Sequence, residues 1–260
     1  MSGRERALAF LRETYRCRAD RVERRAWGEL VVSPTLPLVY DANFAVVDRW
    51  DGDAAQLWRE MERAQRALAH RKVVLHDEDL AARLGPGMAT LDVDFHSRYL
   101  IMAQQRPPDR AADPAVEVVG IGDADWADGR AALLEEAGHG SDPELVRQLL
   151  ELDRRLARTL EARHLAAVVE GEVASYAALY RSGAVAQIED VATLPEQRGR
   201  GLARAVVLHA AAVARREGAE LVFLVADEAD WPQRLYRRLG FEPIGVETVF
   251  GRPARHHSHA

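Results

Sequence analysis

Short apolar runs alternate with glycine and charged residues over the second half of the chain, and this pattern predicts alternating strands and helices. The predicted strands cover 116–121, 164–170, 173–180, 185–194 and 221–226, with a bent strand or strand pair over 241–250. The predicted helices cover 125–137, 143–161, 201–217 and 231–239. The start signals are Asp142, Pro143 and Asp230, and the stop signals are Gly138, Gly140, Gly218 and Gly240. This order predicts an α/β (α+β) domain with a mixed sheet between helices.

The first half of the chain has a less regular pattern of apolar positions. It predicts helices over 4–27, 54–70 and 79–84, strands over 30–32, 43–47 and 72–76, and one or two strands within 88–103. A polar stretch at 107–114, with three prolines, predicts a domain boundary. We therefore expect one domain over 1–112, a second over 113–253 and a disordered tail over 254–260.

A basic, glycine-containing turn joins the strand predicted at 185–194 to the following helix. Gly199 and Gly201 let the backbone turn sharply, so that main-chain N–H groups can converge on an anion at the helix start. Arg198, Arg200 and Arg204 add positive charge around the same point. The turn therefore predicts binding of a phosphorylated ligand, most simply a diphosphate. It lacks the Gly-Lys-Ser/Thr of a Walker loop and the third glycine or alanine of a Rossmann fingerprint.

Two sequence patterns resemble the GCN5-related N-acetyltransferase (GNAT) superfamily. The pattern Arg-x-x-Gly-x-Ala, formed by Arg198, Gly201 and Ala203 after a strand ending in Thr-x-Pro, is similar to its coenzyme-A-binding signature. The segment 235–241, Leu-Tyr-Arg-Arg-Leu-Gly-Phe, is similar to the segment that closes the family's cofactor cleft. The resemblance covers roughly the last 140 residues, in element order as well as in motifs. It implies a mixed, mainly antiparallel GNAT-type sheet flanked by helices.

The resemblance also implies a tandem form with a degenerate first copy. Strand, helix, strand, short helix and strand over 43–103 follow the order of the second half of the other domain. Asp51-Gly52-Asp53 stands where the basic glycine turn would be, and its carboxylates would repel phosphate. The alternative for 1–112 is an unrelated α/β accessory domain.

The activity implied by the resemblance is acyl-CoA-dependent N-acyl transfer, with acetyl-CoA as the donor and a small-molecule or peptide amine as the acceptor. The amine would attack directly in a ternary complex, without a metal. Backbone groups beside the thioester would pair with the pantetheine arm, and the turn would hold the diphosphate. The cofactor-binding residues implied are Val191, Ala192, Thr193, Arg198, Gly199, Arg200, Gly201, Leu202, Ala203 and Arg204.

Three residues are candidates for proton transfer. Tyr236 matches the family's tyrosine and would protonate the departing thiolate, the alternative being a packing role beside Leu235 and Leu239. Glu189 and Asp190 interrupt an apolar strand, where their side chains are expected on opposite faces. Either carboxylate could be the general base, or could anchor a neighbouring helix or loop.

The acceptor side and one cofactor contact are less defined by the sequence. Tyr176, Tyr180 and His139 are candidates for the acceptor pocket, each with a structural alternative. After the strand at 221–226, the chain carries Asp227, Glu228 and Asp230 where many family members have an asparagine that contacts the cofactor. This departure leaves open an alternative function, a non-catalytic acyl-CoA-binding sensor or regulatory module.

Composition excludes several other classes. The net charge of −6 opposes nucleic-acid binding. Cys17 is the single cysteine, which excludes an intramolecular disulfide and a cysteine metal cluster. Apolar runs stay below the roughly 20 residues that a membrane helix needs, and charges interrupt the N-terminus, so neither a membrane segment nor a secretion signal is expected. We expect a cytoplasmic protein that is a monomer or a homodimer.

Overall fold

The computed structural model describes residues 1–134 and 142–253, and the chain divides into two compact units. Unit A comprises Met1–Phe10, Ile101–Ala226 and Asp230–Ile244. Unit B comprises Leu11–Leu100, Asp227–Ala229 and the chain from Gly245 onward. The predicted tail at 254–260, the predicted helix stops Gly138 and Gly140, and the candidate pocket residue His139 lie outside the described residues.

Helices and strands alternate through both units. In chain order they are α1 (Gly3–Arg18), β1 (Arg21–Arg25), β2 (Gly28–Val32), β3 (Phe44–Val47), α2 (Ala54–Ala64), β4 (Arg71–Leu75), α3 (Glu78–Met88), β5 (Phe95–Gln104), β6 (Val118–Gly120), α4 (Asp123–Leu134), α5 (Pro143–Thr159), β7 (Glu161–Val169), β8 (Glu172–Ser182), β9 (Val185–Thr193), α6 (Leu202–Arg216), β10 (Leu221–Asp227), α7 (Pro232–Arg238) and β11 (Phe241–Arg252). Short 3-10 turns occur at Tyr40–Ala42 and Pro195–Gln197.

The sheet of unit A is antiparallel from β6 through β7 and β8 to β9, and β10 then pairs parallel with β9. The crossover from β9 to β10 is α6, whose Leu202 packs against Ala167 and Ala174 of the sheet. Val206 and Val213 of α6 are also buried. The predicted mixed sheet flanked by helices is confirmed, and it places the β9–α6 turn at the end of a core strand.

Local signals account for several boundaries in unit A. The Asp142 side chain accepts a hydrogen bond from Leu145 N–H at 3.1 Å, and Pro143 occupies the first helical turn of α5. The β7–β8 hairpin turns through Glu170 at φ 55° and Gly171 at φ 87°. The predicted cap at Asp230 is displaced by one residue. Trp231 is the N-cap of α7, and the Asp230 carboxylate accepts Trp231 N–H at 2.7 Å.

In unit B, β1, β2 and β3 are antiparallel, β4 pairs parallel with β3, and residues 248–252 of β11 pair antiparallel with β4. Helices α2 and α3 pack on this sheet through a core that includes Leu57, Met61 and Phe250. The Asp53 carboxylate accepts the Gln56 N–H at 2.7 Å and caps α2. Asp53 therefore has a structural role at the point where the sequence lacks the basic glycine turn.

Two predicted helices of the first half were too long. The helix expected over 4–27 ends at Arg18, and Arg21–Arg25 instead pairs with Gly28–Val32 as a hairpin. The helix expected over 54–70 ends at Ala64, where the Gln65 side chain bonds to the backbone N–H and C=O of Lys72. Tertiary pairing overrides helix propensity in both places. The chain from 241 forms one continuous strand rather than a pair.

Candidate active site

The strand β9 carries a bulge in its pairing with β8. Ala178 pairs with Glu189 and Tyr176 pairs with Ala192, so two residues of β9, Asp190 and Val191, stand opposite one residue of β8. Asp190 has a φ of 54°, in the left-handed region that residues other than glycine adopt uncommonly. The bulge interrupts the alternation of faces that the sequence predicted for Glu189 and Asp190, and it bends the strand at this point.

The pairing between β9 and β10 ends early. Within the described residues, their parallel register runs from Val185 with Leu221 to Ile188 with Leu224, although β9 continues to Thr193. On its other side, the same part of β9 stays paired with β8. The Ser175 hydroxyl reinforces this pairing, since it donates to the Ala192 carbonyl at 2.7 Å and lies 2.9 Å from the Thr193 hydroxyl. The splay leaves a firmly held strand edge along 189–193, which an extended ligand can pair with.

The turn after β9 leads into a helix start without a side-chain cap. Gly199 and Gly201 have φ values of 79° and 81°, and Gly201 is the N-cap residue of α6. Within the part of the chain that the structure describes, a Cβ atom at either glycine would meet no atom within 4 Å. The first N–H groups of α6 carry the positive end of the helix dipole, and no side chain of the described residues caps them at Gly201. This arrangement suits an anion.

The three arginines of the turn have different surroundings. Arg198 is exposed and donates from Nε to the Thr193 carbonyl at 3.2 Å, which ties the turn to the end of β9. Arg200 is exposed and contacts the Gln197 side chain. Arg204 is only 6% exposed and donates to Asp109 at 2.6 Å and to the Arg110 carbonyl at 3.0 Å. The hydrogen bond from Arg204 also lowers the pKa of Asp109 below its ordinary value.

The two candidate bases have different partners. Asp190 forms an ion pair with Arg130 at 2.6 Å, and Arg130 also contacts Asp153 at 3.3 Å. Arg130 donates to the Tyr176 hydroxyl at 3.2 Å. Glu189 is half-buried and accepts a hydrogen bond from the Gln187 amide at 2.6 Å. Asp190 thus makes the anchoring contact to a neighbouring helix that the sequence analysis left open.

The guanidinium of Arg130 is held in its charged form by its two carboxylate partners. Burial alone would lower the pKa of Arg130, but the charges of Asp190 and Asp153 raise it above its ordinary value. Sequence reasoning missed both Arg130 and Asp153. A signal was present, because Asp153 follows the apolar Leu152 and precedes Leu156 on the buried face of α5, where a carboxylate needs a cation.

Tyr236 lies on α7 and is 7% exposed. Its ring makes an edge contact with Phe241, with centroids 6.3 Å apart and planes at 63°. Burial raises the pKa of Tyr236 to about 12, and the Asp230 charge acts in the same direction. The phenol therefore keeps its proton at neutral pH, which is the state that a proton donor needs.

The remaining candidate residues have local roles. Asp227 accepts the Ala229 N–H at 2.8 Å, and Glu228 pairs with Arg98 at 2.7 Å. Tyr176 and Tyr180 are at most 1% exposed and lie in the sheet core. Among the described residues, no group of three or more His, Cys, Asp or Glu side chains is arranged to hold a metal ion. The same residues contain no helix that is both long and apolar enough to cross a membrane.

Comparison with known proteins relates this geometry to one family. Residues 127–241 match the sequence model of the acetyltransferase (GNAT) family. The streptothricin acetyltransferase of Streptomyces lavendulae is 34% identical over 83 residues, which are 31% of this chain and 44% of that enzyme. The chain thus spans less than half the length of this relative.

Two solved structures share the fold. A GCN5-related N-acetyltransferase from Kribbella flavida superposes with a TM-score of 0.62 at 16% identity, over 96% of each chain. A tandem GNAT protein from the clavulanic acid biosynthesis pathway superposes with a TM-score of 0.56 at 19% identity, over 77% of this chain and 69% of that one. The match to the GNAT family model at 127–241 covers less than half of this chain, and it includes the β9 bulge and the β9–α6 turn.

Proposed function

We propose that this protein is an acyl-CoA-dependent N-acyltransferase that transfers acetyl from acetyl-CoA to a primary amine. The observation that carries the proposal is the helix start at Gly201, which has no side-chain cap among the described residues and follows a strand whose pairing with β10 ends at Ile188. A diphosphate and a pantetheine arm need these two features side by side. The family match and the acetyltransferase relative support the same activity.

The donor would bind along β9 and across the turn. The pantetheine arm would pair with the backbone of Val191, Ala192 and Thr193 as an added strand. Its diphosphate would accept hydrogen bonds from the main-chain N–H groups of 199–203, with Arg198 and Arg200 as neighbouring cations. We assign Arg204 a supporting role, because its guanidinium already binds Asp109 and the Arg110 carbonyl.

The reaction then needs no covalent enzyme intermediate. The neutral amine attacks the thioester carbon, a C–N bond forms and the C–S bond breaks. A backbone N–H at the β9 bulge would stabilise the developing oxyanion. Tyr236 would give its phenolic proton to the departing thiolate. The proton lost by the amine passes to a base and from there to solvent.

For the base, Glu189 is the better candidate of the two carboxylates. The reason is that Asp190 is held in the ion pair with Arg130, and the contacts of Glu189 include a hydrogen bond from the Gln187 amide. Glu189→Gln and Asp190→Asn test the choice through pH–rate profiles. The variant that removes the acid-side limb of kcat/KM identifies the base, and two unchanged profiles would assign proton removal to water.

A matched pair of glycine variants tests donor binding. Gly201 and Gly218 stand at opposite ends of α6 with φ values of 81° and 95°, and a Cβ at either would meet none of the described atoms within 4 Å. Alanine at either position should therefore lower the unfolding free energy by about 1–2 kcal/mol, because it must adopt the left-handed backbone conformation. We expect Gly201→Ala to weaken CoA binding at least about tenfold in calorimetry, or about 1.4 kcal/mol. Gly218→Ala should leave it unchanged.

Equal affinities of both variants for CoA would contradict the assignment of the turn, and an absence of CoA binding by the native protein would refute the proposed function. Free-thiol release from acetyl-CoA with a panel of amines then measures transfer. The panel should include streptothricin, since the curated relative carries its name. We propose a small-molecule or peptide amine as the acceptor.

The alternative function is a non-catalytic acyl-CoA sensor. The observation in its favour is that Asp227, Glu228 and Asp230 occupy the place of the asparagine found in many family members, and each is engaged locally. A sensor would bind acetyl-CoA without releasing thiol for any amine of the panel.

Four other properties stay predictions. They are the domain division near residue 112, the degenerate first copy, the cytoplasmic location and a monomeric or homodimeric state.

A further inference from the structure

Four polar side chains from four elements of unit A meet beneath the β9 bulge. They are Arg130 of α4, Asp153 of α5, Tyr176 of β8 and Asp190 of β9, and we call them the bulge clamp. Arg130 lies at its centre and contacts the other three at 2.6 to 3.3 Å. The four side chains are largely buried, with the Arg130 and Asp190 side chains 16% and 18% exposed. One cation therefore joins both α4 and α5 to the bulge.

The Asp190 carboxylate depends on Arg130 for its charge partner. Removing the guanidinium would leave this largely buried carboxylate without the ion pair that the structure shows. Asp190 depends on it strongly, because its Oδ2 atom is buried and has no hydrogen-bond partner among the described residues. Tyr176 adds a neutral contact, since burial raises its pKa to about 12 and its hydroxyl accepts from Arg130.

The residue that Arg130 holds is the residue that makes the bulge. Asp190 adopts a φ of 54°, a conformation that lasts in a strand only where the surroundings enforce it. The next residue, Val191, begins the edge proposed to pair with the pantetheine arm. A change in the backbone at Asp190 would therefore rotate the N–H groups that should meet the thioester oxygen. Small displacements matter there, because an error of about 1 Å can cost about a hundredfold in rate.

We propose that Arg130 is a positioning residue for acyl transfer, acting through Asp190 to fix the backbone of the β9 bulge against α4 and α5. This inference rests on the proposed function and deepens it, since it assigns a role to residues outside the turn and the tyrosine. The diphosphate turn at 198–204 makes none of the clamp's contacts, so the clamp should affect turnover and not the capture of the nucleotide.

The test compares Arg130→Met and Arg130→Lys with the native protein. Arg147→Met is the control, because Arg147 is exposed on α5 and forms an ion pair with the exposed Glu144 at 2.6 Å. We expect Arg130→Met to lower kcat about a hundredfold, while the Kd for CoA and the KM for acetyl-CoA change less than about twofold. Arg130→Lys keeps the charge and should recover part of kcat. Arg147→Met should match the native protein.

A double-mutant cycle keeps the test independent of folding losses. Asp190→Asn should lower kcat in the native background and have little further effect in Arg130→Met, because the two residues act as one unit. The inference is overturned if folded Arg130→Met retains native kcat, if kcat and CoA affinity fall together, or if the two substitutions are additive. If Arg130→Met does not fold, Arg130→Lys and Asp190→Asn decide by the same criteria.

Measurements on the native protein distinguish a failure of this inference from a failure of the proposed function. Failure of the native protein to bind CoA or to release thiol defeats the proposed function, and the inference falls with it. Native activity together with an active Arg130→Met variant defeats the inference alone.

Discussion

Gly240 offers a test of the backbone packing just after α7, the helix that carries Tyr236. It ends α7 with a φ of 86°, and a Cβ at this position would stand 1.9 Å from the Arg106 carbonyl oxygen and 3.1 Å from that of Pro107. The Gly240 carbonyl also accepts the N–H groups of Gln105 and Arg106 at 2.9 and 3.1 Å. Gly240→Ala cannot be accommodated by a side-chain rotation, because the obstructing atoms belong to the backbone.

The cost of Gly240→Ala follows from these contacts. The left-handed backbone costs alanine about 1–2 kcal/mol. Displacing the chain at Arg106 weakens two hydrogen bonds, each worth about 0.5–1.5 kcal/mol. We therefore expect the unfolding free energy of unit A to fall by about 2–5 kcal/mol. For a protein of this size, each kcal/mol corresponds to about 2–4 °C in Tm.

Gly171→Ala is the matched control for Gly240→Ala. Gly171 has a φ of 87° and also belongs to unit A, but a Cβ there meets nothing within 4 Å. Gly171→Ala should therefore lower the unfolding free energy only by the cost of the left-handed backbone, about 1–2 kcal/mol. Chemical unfolding and calorimetric thermal unfolding of both variants measure the difference between their unfolding free energies. Equal losses within about 0.5 kcal/mol would refute the reasoning, because they would mean that the contact with Arg106 costs nothing.

Three further predictions follow from individual contacts. Tyr236→Phe should leave the Kd for CoA unchanged and lower turnover roughly ten- to a thousandfold in the thiol-release assay; unchanged turnover would remove Tyr236 from the mechanism. Burial alone would raise the pKa of Glu247, but the hydrogen bond with His76 lowers this pKa below its usual value of 4.5. The ionised Glu247 therefore stabilises the fold above pH 4.5, and this stabilisation is lost as the pH falls through the lowered pKa. Glu247→Gln should cost about 1–3 kcal/mol at pH 7 and flatten the acid limb of stability in urea titrations, and an acid limb as steep as the native one would contradict this assignment. Asp53→Ala removes the cap of α2 and should cost about 1 kcal/mol in the same titrations, with no loss if the Asp53–Gln56 contact is unimportant.

Sequence reasoning succeeded where a local signal decides the structure. Asp142 with Pro143 fixes the start of α5, and the glycines at 199 and 201 take the positive φ values that the turn requires. It failed where a pairing partner decides the structure and the segment's own residues do not, as at Arg21–Arg25. The charged sequence of this segment gives no strand signal, and its strand forms by pairing with Gly28–Val32.

The same distinction separates the two parts of the candidate site. The glycine turn at 198–204 is a local feature, and its residues could be named from the order of strand, glycines and helix. The bulge at Asp190 is not local, because its conformation depends on Arg130, 60 positions earlier in the chain. A charged pair such as Glu189 and Asp190 in an apolar strand indicates a special position, but only the partner shows that Asp190 has an anchoring role.

The starts of α2 and α6 show how the N-cap residue decides whether the first N–H groups of a helix are bonded by a side chain of the same chain. Both helices follow a strand and a short turn, and both expose N–H groups at their first turn. At α2, the Asp53 carboxylate takes the Gln56 N–H, and the Gln56 side chain in turn takes the Asp53 N–H, so the helix start is satisfied and carries a negative charge. At α6, Gly201 offers no side chain, so the corresponding N–H groups are available to a ligand, and Arg198 and Arg200 lie beside them. A carboxylate at a helix start competes with phosphate for the same donors and repels it, whereas glycine does neither. For this reason we expect donor binding at α6 and none at α2.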